Sequence, residues 1–143
     1  NVIIVDHYHG ITLMGATGCR FVNNTVIDPN DVRPGPCALR VANHKRGMTS
    51  SNCVVRNNLV SAISVHGENM TTDHNLVVDD PTPFFENYES YDLHLREDAP
   101  AVDAGASELA PRTDIELSTR LQGGSVDIGA YEFPGKRDDA IPR

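Results

Sequence analysis

The chain has 143 residues, 39% of them hydrophobic, enough for one domain with a core of its own. Its 12 Lys and Arg against 20 Asp and Glu give a formal charge of −8, which argues against a phosphate-binding surface and so against nucleic acid as a partner. No stretch approaches the roughly 20 apolar residues of a membrane span, and three cysteines without a C-x-x-C make neither a disulfide framework nor a zinc site.

In chain order, the first element is the apolar run NVIIVD (1–6). It opens without an initiator Met, a basic n-region or an apolar h-region, and reads as a mature or excised piece of a longer protein. The turn DHYH (6–9) leads to GITLM (10–14), then CRFVN (19–23) and TVI (25–27). A second pass follows with the same order: an insertion DPNDVRPGPC (28–37), ALRVA (38–42), a loop NHKRGMTSS (43–51), CVVRN (53–57) and LVS (59–61). The third pass is shorter, with AISVH (62–66), MTTDH (70–74) and LVV (76–78).

Asparagine sets these passes in register. Asn1, Asn24, Asn58 and Asn75 are spaced by 23, 34 and 17 residues. Two residues after each stands Ile3, Val26, Val60 or Val77. Cys19, Cys53 and Met70 lie five before, and Phe21, Val55 and Thr72 three before. This period-two alternation, repeated with like on like, predicts parallel strands stacked coil on coil. The expected fold is all-β, a parallel solenoid of about four coils and three sheets. In its first sheet Ile11, Leu39 and Ile63 point inward with Leu13, Val41 and Val65. Thr12, Arg40 and Ser64 face outward, followed by Met14, Ala42 and His66. An Asn at each corner tolerates an unusual backbone conformation and can pass amide-to-carbonyl bonds from coil to coil.

The Asn ladder, the coil length and the three-sheet alternation resemble the right-handed parallel β-helix of the pectate-lyase type. YDLHLREDAPAVDAGA (91–106) followed by VDIGAYEF (126–133) is similar to the closing segment of secreted bacterial β-helix proteins. There a D-x-x-L-x-x-x-S-P-A-I-D-A-G pattern leads to D-I-G-A-Y-E; here Ala99 replaces the Ser and Val102 the Ile. The resemblance implies a secreted, periplasmic or cell-surface bacterial protein that acts on polysaccharide. Residues 1–90 then form the coils, 91–133 a capping segment of the same domain, and 134–143 a flexible tail. Leu93, Leu95, Val102, Ile128, Tyr131 and Phe133 are candidates for an apolar plug over the open end of the core. Asp103, Asp114 and Asp127 offer oxygens for calcium, though without the ordered spacing of an EF-hand loop, and capping of turns is the competing role.

In the fold so implied, the binding groove lies over the first sheet and beside the turn that enters it. That places His7, Tyr8, His9, Arg33, Arg40, His44, Lys45, Arg46 and His66 around one groove. Such a cationic, imidazole-rich cluster on an acidic chain suits an anionic polysaccharide. The matching reaction is β-elimination at a uronic acid, which needs a neutraliser for the carboxylate, a base for the C5 proton and an acid for the leaving oxygen. Arg40 is the candidate neutraliser, His9 or His7 the base and Tyr8 the proton donor; Arg33, His44, Lys45, Arg46 and His66 would bind substrate. DPND (28–31) resembles the D-P-H-D motif of alginate C5-epimerases, with Asn30 in place of the motif's His. A glycoside hydrolase would draw its carboxylates from Asp6, Asp28 and Asp31, and a non-catalytic glycan-binding or adhesion module needs no catalytic set. Cys19 and Cys53 fall on neighbouring coils at one inward position, as two reduced core residues or a disulfide; Cys37 stands in the insertion. The exposed first coil is expected to be covered by upstream chain or by a second copy.

Overall fold

The computed structural model describes residues 1–5, 9–29 and 38–135. Short strands dominate: β1 (Val2–Ile4), β2 (Ile11–Met14), β3 (Arg20–Val22), β4 (Thr25–Ile27), β5 (Leu39–Ala42), β6 (Val54–Arg56), β7 (Leu59–Val60), β8 (Ile63–Val65), β9 (Thr71–Asp73), β10 (Leu76–Val77), β11 (Phe85–Asn87) and β12 (Asp92–Leu95). The first ten make three parallel sheets, ordered β2-β5-β8, β3-β6-β9 and β1-β4-β7-β10. The chain visits the sheets in rotation, so each strand pairs with its counterpart one coil on. Among the described residues no helix is long and apolar enough to cross a membrane.

The register is the one the asparagines predict. Ile11 pairs with Leu39 and Leu39 with Ile63, Phe21 with Val55 and Val55 with Thr72, and Ile3 with Val26 and Val26 with Val60. The strands are short because the chain turns a left-handed corner every few residues. Asn23, Asn57 and His74 hold one corner at φ 51°, 56° and 49°. Gly18, Asn52 and Asn69 hold a second, unanticipated one at 68°, 54° and 51°. Such φ values are costly for most side chains, and Gly and Asn are the usual exceptions.

The second residue of each pair builds the ladder. Asn1 Nδ2 donates to Asn24 Oδ1 at 2.8 Å, Asn24 Nδ2 to Asn58 Oδ1 at 2.7 Å, and Asn58 Nδ2 to Asn75 Oδ1 at 2.8 Å. The backbone N–H groups of Asn24 and Asn58 donate to the same two oxygens, of Asn58 and Asn75. The 34-residue second pass exceeds the 23-residue first by two insertions. Five extra residues lie between the third and first sheets, and six between Ala42 and Ser51, which bridges to Thr17.

Inside the coils Val26, Leu39, Val41, Val55 and Val60 are fully buried, with Ile3, Ile11, Phe21, Ile63, Val65 and Met70 packed on them. Cys53 is buried beside the half-buried Cys19, and both are free thiols; Cys37 is outside the described residues. Ala42, expected to face outward into solvent, is buried instead. The 43–51 loop returns over this corner, where Ser50 Oγ donates to the Ala42 carbonyl at 2.7 Å.

The C-terminal segment corrects the expectation of an end cap. All six plug candidates do enter an apolar cluster, but their partners there include Ile27, Leu59, Leu76 and Val78. By strand alternation from the inward Val26 and Val60, Ile27 and Leu59 stand on the outer face of the third sheet. The segment therefore lies along the side of the coils. Asn23 Nδ2 donates to the Asp127 and Gly129 carbonyls, Gly129 N to Asn57 O at 2.9 Å, and Ala130 N to Thr25 Oγ1 at 2.9 Å. Gly129 (φ 110°) lets the backbone come this close, since a Cβ there would sit 2.9 Å from Thr25 Oγ1. Arg56, outward on β6, is buried beneath the segment between Asp73 of the next coil and Glu108. Its guanidinium holds the Asp73 carboxyl down at about 2. The antiparallel pair β11–β12 spans the boundary expected at residue 90, and 136–143 of the expected tail lie outside the described residues.

Asp103, Asp114 and Asp127 are not gathered for calcium. Asp127 accepts from the Asp103 and Phe133 amides, Asp114 from Glu116, Ser118 and Glu132, and Asp103 from Ser125. Among the described residues no group of three His, Cys, Asp or Glu could hold a metal ion. The carboxylates brace irregular backbone instead, with Arg120 and Glu132 as a buried ion pair at 3.0 Å. Burial pushes the Asp127 carboxyl up to about 6, against the two amides that favour its charged form. The folded state thus holds that proton more tightly than the unfolded chain. Stability from this group is complete below the ordinary value of 3.8 and is lost as pH rises through about 6. Urea titrations should show on the order of 2 kcal/mol of this slope in the native chain and none of it in Asp127→Asn; an unchanged slope in the variant would remove Asp127 as the cause.

Candidate functional site

Among the described residues, no hydrogen bond or ion pair joins the C-terminal segment to the first sheet. β2, β5 and β8 align Thr12, Arg40 and Ser64 in one row, all half-buried. Arg40 occupies the middle of the row, between two hydroxyl-bearing neighbours of adjacent coils. At the entry to β2, His9 Nδ1 and Thr12 Oγ1 are hydrogen-bond partners at 2.8 Å. When Nδ1 carries the proton and donates to Thr12, the basic lone pair of the ring is on Nε2.

At the opposite ends of these strands, Met14 and His66 are exposed and the 43–51 loop rises beside them. His44 N donates to Met48 O at 2.8 Å and Gly47 N to His44 O at 2.9 Å, closing a tight turn. Arg46 N donates to His44 Nδ1 at 3.2 Å, which fixes that imidazole to the turn. Lys45 and Arg46 stand exposed at its tip. Asn43 Oδ1 accepts from Ser50 N, and Ala16 N donates to Ser50 Oγ, so the base of the loop is tied to the first coil. Gly15 makes this docking possible: at φ 64°, its Cβ would lie 2.9 Å from Met48 Cβ and 3.2 Å from His44 Cβ.

The structure therefore brings His44, Lys45, Arg46 and His66 to one end of the face, Arg40 to its centre and His9 to the other end. His9 and the His66 position are five extended residues apart in register, roughly 16 Å along the strands. They cannot serve one bond, but they can line one groove. His7, Tyr8 and Arg33 lie outside the described residues. So do Asp6, Asn30 and Asp31, leaving Asp28 and Pro29 of the D-P-N-D turn; Asp28 N donates to Ser61 Oγ at 2.8 Å.

Electrostatics separate this face from the rest. Residues 1–75 carry six Lys and Arg against five Asp and Glu, whereas residues 76–143 carry six against fifteen. The formal charge of −8 therefore belongs to the C-terminal half, and the coils are close to neutral before any His is protonated.

Sequence reasoning missed three features. Thr12 was read as a row member and turns out to be the partner of His9. Gly15 had no sequence signal beyond the six-residue excess that docks against it. His94 lies with Nδ1 2.5 Å from Asp92 and Nε2 3.2 Å from Glu116, its ring 4.2 Å from that of Tyr131. Burial opposes its protonation, but the two carboxylates outweigh that and raise its pKa. Both ring nitrogens are committed, so this cluster fastens the segment and offers neither base nor ligand.

No family model, no curated protein and no solved structure matches this chain. What the face can do must be argued from its chemistry.

Gly15→Val should displace the 43–48 turn at a cost of about 1–2 kcal/mol for the left-handed backbone alone. Hydrogen exchange is the readout: the His44 and Gly47 amides should lose protection while those of β5 and β6 keep theirs. Unchanged protection at His44 would show that the turn does not depend on Gly15.

Proposed function

We propose that the chain is a right-handed parallel β-helix of the pectate-lyase type, and that the outer face of its first sheet binds a uronate-containing polysaccharide for β-elimination. The observation that carries this reading is the half-buried Arg40 at the centre of the Thr12–Arg40–Ser64 row, with His9 at one end of the same face and His44, Lys45, Arg46 and His66 at the other. A guanidinium flanked by hydroxyls suits a carboxylate, which it can hold by two hydrogen bonds. An elongated face with one cation at its centre and two more toward one end suits a linear polyanion better than a small acid.

In the reaction, Arg40 neutralises the uronate carboxylate and so acidifies the C5 proton. His9 Nε2 takes that proton, with Nδ1–H donating to Thr12. The electron pair forms the C4–C5 double bond, and the C4 oxygen leaves with a proton from Tyr8 or water. Lys45, Arg46, His44 and His66, with Arg33, hold neighbouring acidic sugars. The setting such a protein implies is the bacterial periplasm, cell surface or exterior.

A second reading, a glycan-binding module without turnover, is favoured by one observation: His9 stands far along the face from His44 and His66, so these three offer no acid–base pair. The D-P-N-D turn, with Asn in place of the motif's His, is a weaker basis for a C5-epimerase, and Asp28 alone for a hydrolase.

Incubation with polyuronates and glycosaminoglycans separates the readings. A lyase releases products with the ultraviolet absorbance of the new double bond, and Arg40→Ala and His9→Ala should each lower kcat/KM at least about a hundredfold, with the folded state intact by circular dichroism. Binding without new absorbance would establish the non-catalytic module. Neither binding nor turnover on any polyanion would sink both.

A further inference from the structure

Cys19 and Cys53 stand side by side on the first two coils, just ahead of β3 and β6. The register is the same on both sides of them: Thr17 bridges to Ser51, and Arg20 pairs with Val54. Val54 N donates to Cys19 O at 2.9 Å, as the parallel ladder requires. In-register parallel strands hold such residues about 4.8 Å apart, inside the span of roughly 4.4–6.8 Å that a disulfide bridges between Cα atoms. Both side chains lean toward one corner. Cys19 Sγ donates to Thr17 O at 3.8 Å; Cys53 Sγ donates to Ser51 O at 3.3 Å and across to Ala16 O of the first coil at 3.5 Å. Met70 takes the same position on the third coil, which therefore adds no thiol to the row.

The two thiols differ in access, and their surroundings tolerate the loss of both protons. Cys19 is half-buried and Cys53 is 1% exposed. A small oxidant therefore meets Cys19, and Cys53 reacts only with the sulfur of its neighbour. The carbonyls that accept from Cys53 keep other donors: Ala16 O accepts from Ser51 N at 2.9 Å, and Ser51 O from Gly18 N at 3.0 Å. Oxidation leaves neither carbonyl unpaired.

We propose that Cys19 and Cys53 are a redox-active pair, whose disulfide staples the first coil to the second beneath the 43–51 loop. With a small-molecule disulfide such as oxidised glutathione as oxidant, the Cys19 thiolate attacks one of its sulfurs and expels a thiolate. The Cys53 thiolate then attacks Cys19 Sγ, forms the Cys19–Cys53 bond and expels the second. The two protein thiols lose two protons and two electrons, and the small disulfide is reduced to two thiols. The staple lies at the base of the loop, where Ala16 N donates to Ser50 Oγ. It ties that base to the first coil covalently and depends on no ligand of the face.

The experiment uses the 143-residue chain with Cys37→Ser, which leaves this pair alone, checked for folding by circular dichroism. It is equilibrated in glutathione buffers of graded composition, trapped with acid and read by mass spectrometry. The expected product is an intramolecular disulfide, two hydrogens lighter, that peptide mapping assigns to Cys19 and Cys53. A fold that aligns the thiols favours the bond. Half-oxidation should therefore need a thiol-squared-to-disulfide ratio at least about tenfold higher in the folded chain than in concentrated urea. A folded chain that keeps both thiols, or stops at a glutathione adduct on Cys19, overturns the proposal. So does a ratio no higher than that of the unfolded chain. Should Cys37→Ser not fold, the native chain carries the same comparison, and mapping that finds Cys37 joined to either residue in place of the pair overturns the proposal equally.

Discussion

The amide ladder of Asn1, Asn24, Asn58 and Asn75 is the constraint from which the rest of the structure follows. Two rungs are buried, and buried amides that lack partners cost more than their bonds return. Each rung satisfies its neighbour only when the coils are in one register. A one-residue slip in any coil would break the ladder and turn that coil's apolar row outward. The ladder therefore fixes which side chains fill the core, and equally which ones face away from it. Arg40 shares an outward row with Thr12 and Ser64 because Asn24 sits on Asn58.

The first residue of each pair has a different task from the second. Asn23 and Asn57 adopt the left-handed corner; Asn57 Nδ2 donates to Asn23 Oδ1 at 3.2 Å along the stack, and both side chains also bond the C-terminal segment. Asn57 Nδ2 donates to Ala106 O at 2.7 Å and its Oδ1 accepts from Ala106 N. One dipeptide thus joins coil to coil and coils to flank. In the last coil His74 takes the corner and contacts Asp73 instead, consistent with a flank that fastens mainly to the earlier two corners.

The stack was legible because its signals are local and periodic: a corner residue, an alternating strand and a repeat of both. The insertions were legible as departures from that period. The course of the C-terminal segment was not, since it depends on contacts between irregular backbone and strands some hundred residues earlier. A clue was nonetheless present. TVI, LVS and LVV are nearly continuous apolar runs, as strands covered on both faces are, while ITLM and LRVA carry a polar residue on the outward side. That contrast distinguishes the flank where the segment lies from the face left for a ligand. Of the site, the register placed Arg40 correctly, but the separation of His9 from His44 and His66 follows from where the loops attach, which spacing along the chain does not convey.

The central claim is that side-chain amides, rather than backbone pairing alone, lock the coils together. The backbone N–H groups of Asn24 and Asn58 test it, since each donates to a side-chain Oδ1 and to no carbonyl of the ladder. Native-state hydrogen exchange should find both as protected as the amides of β6 and β7, opening only with global unfolding. Exchange at the rate of an exposed turn at Asn58, with the flanking strands still protected, would contradict the account.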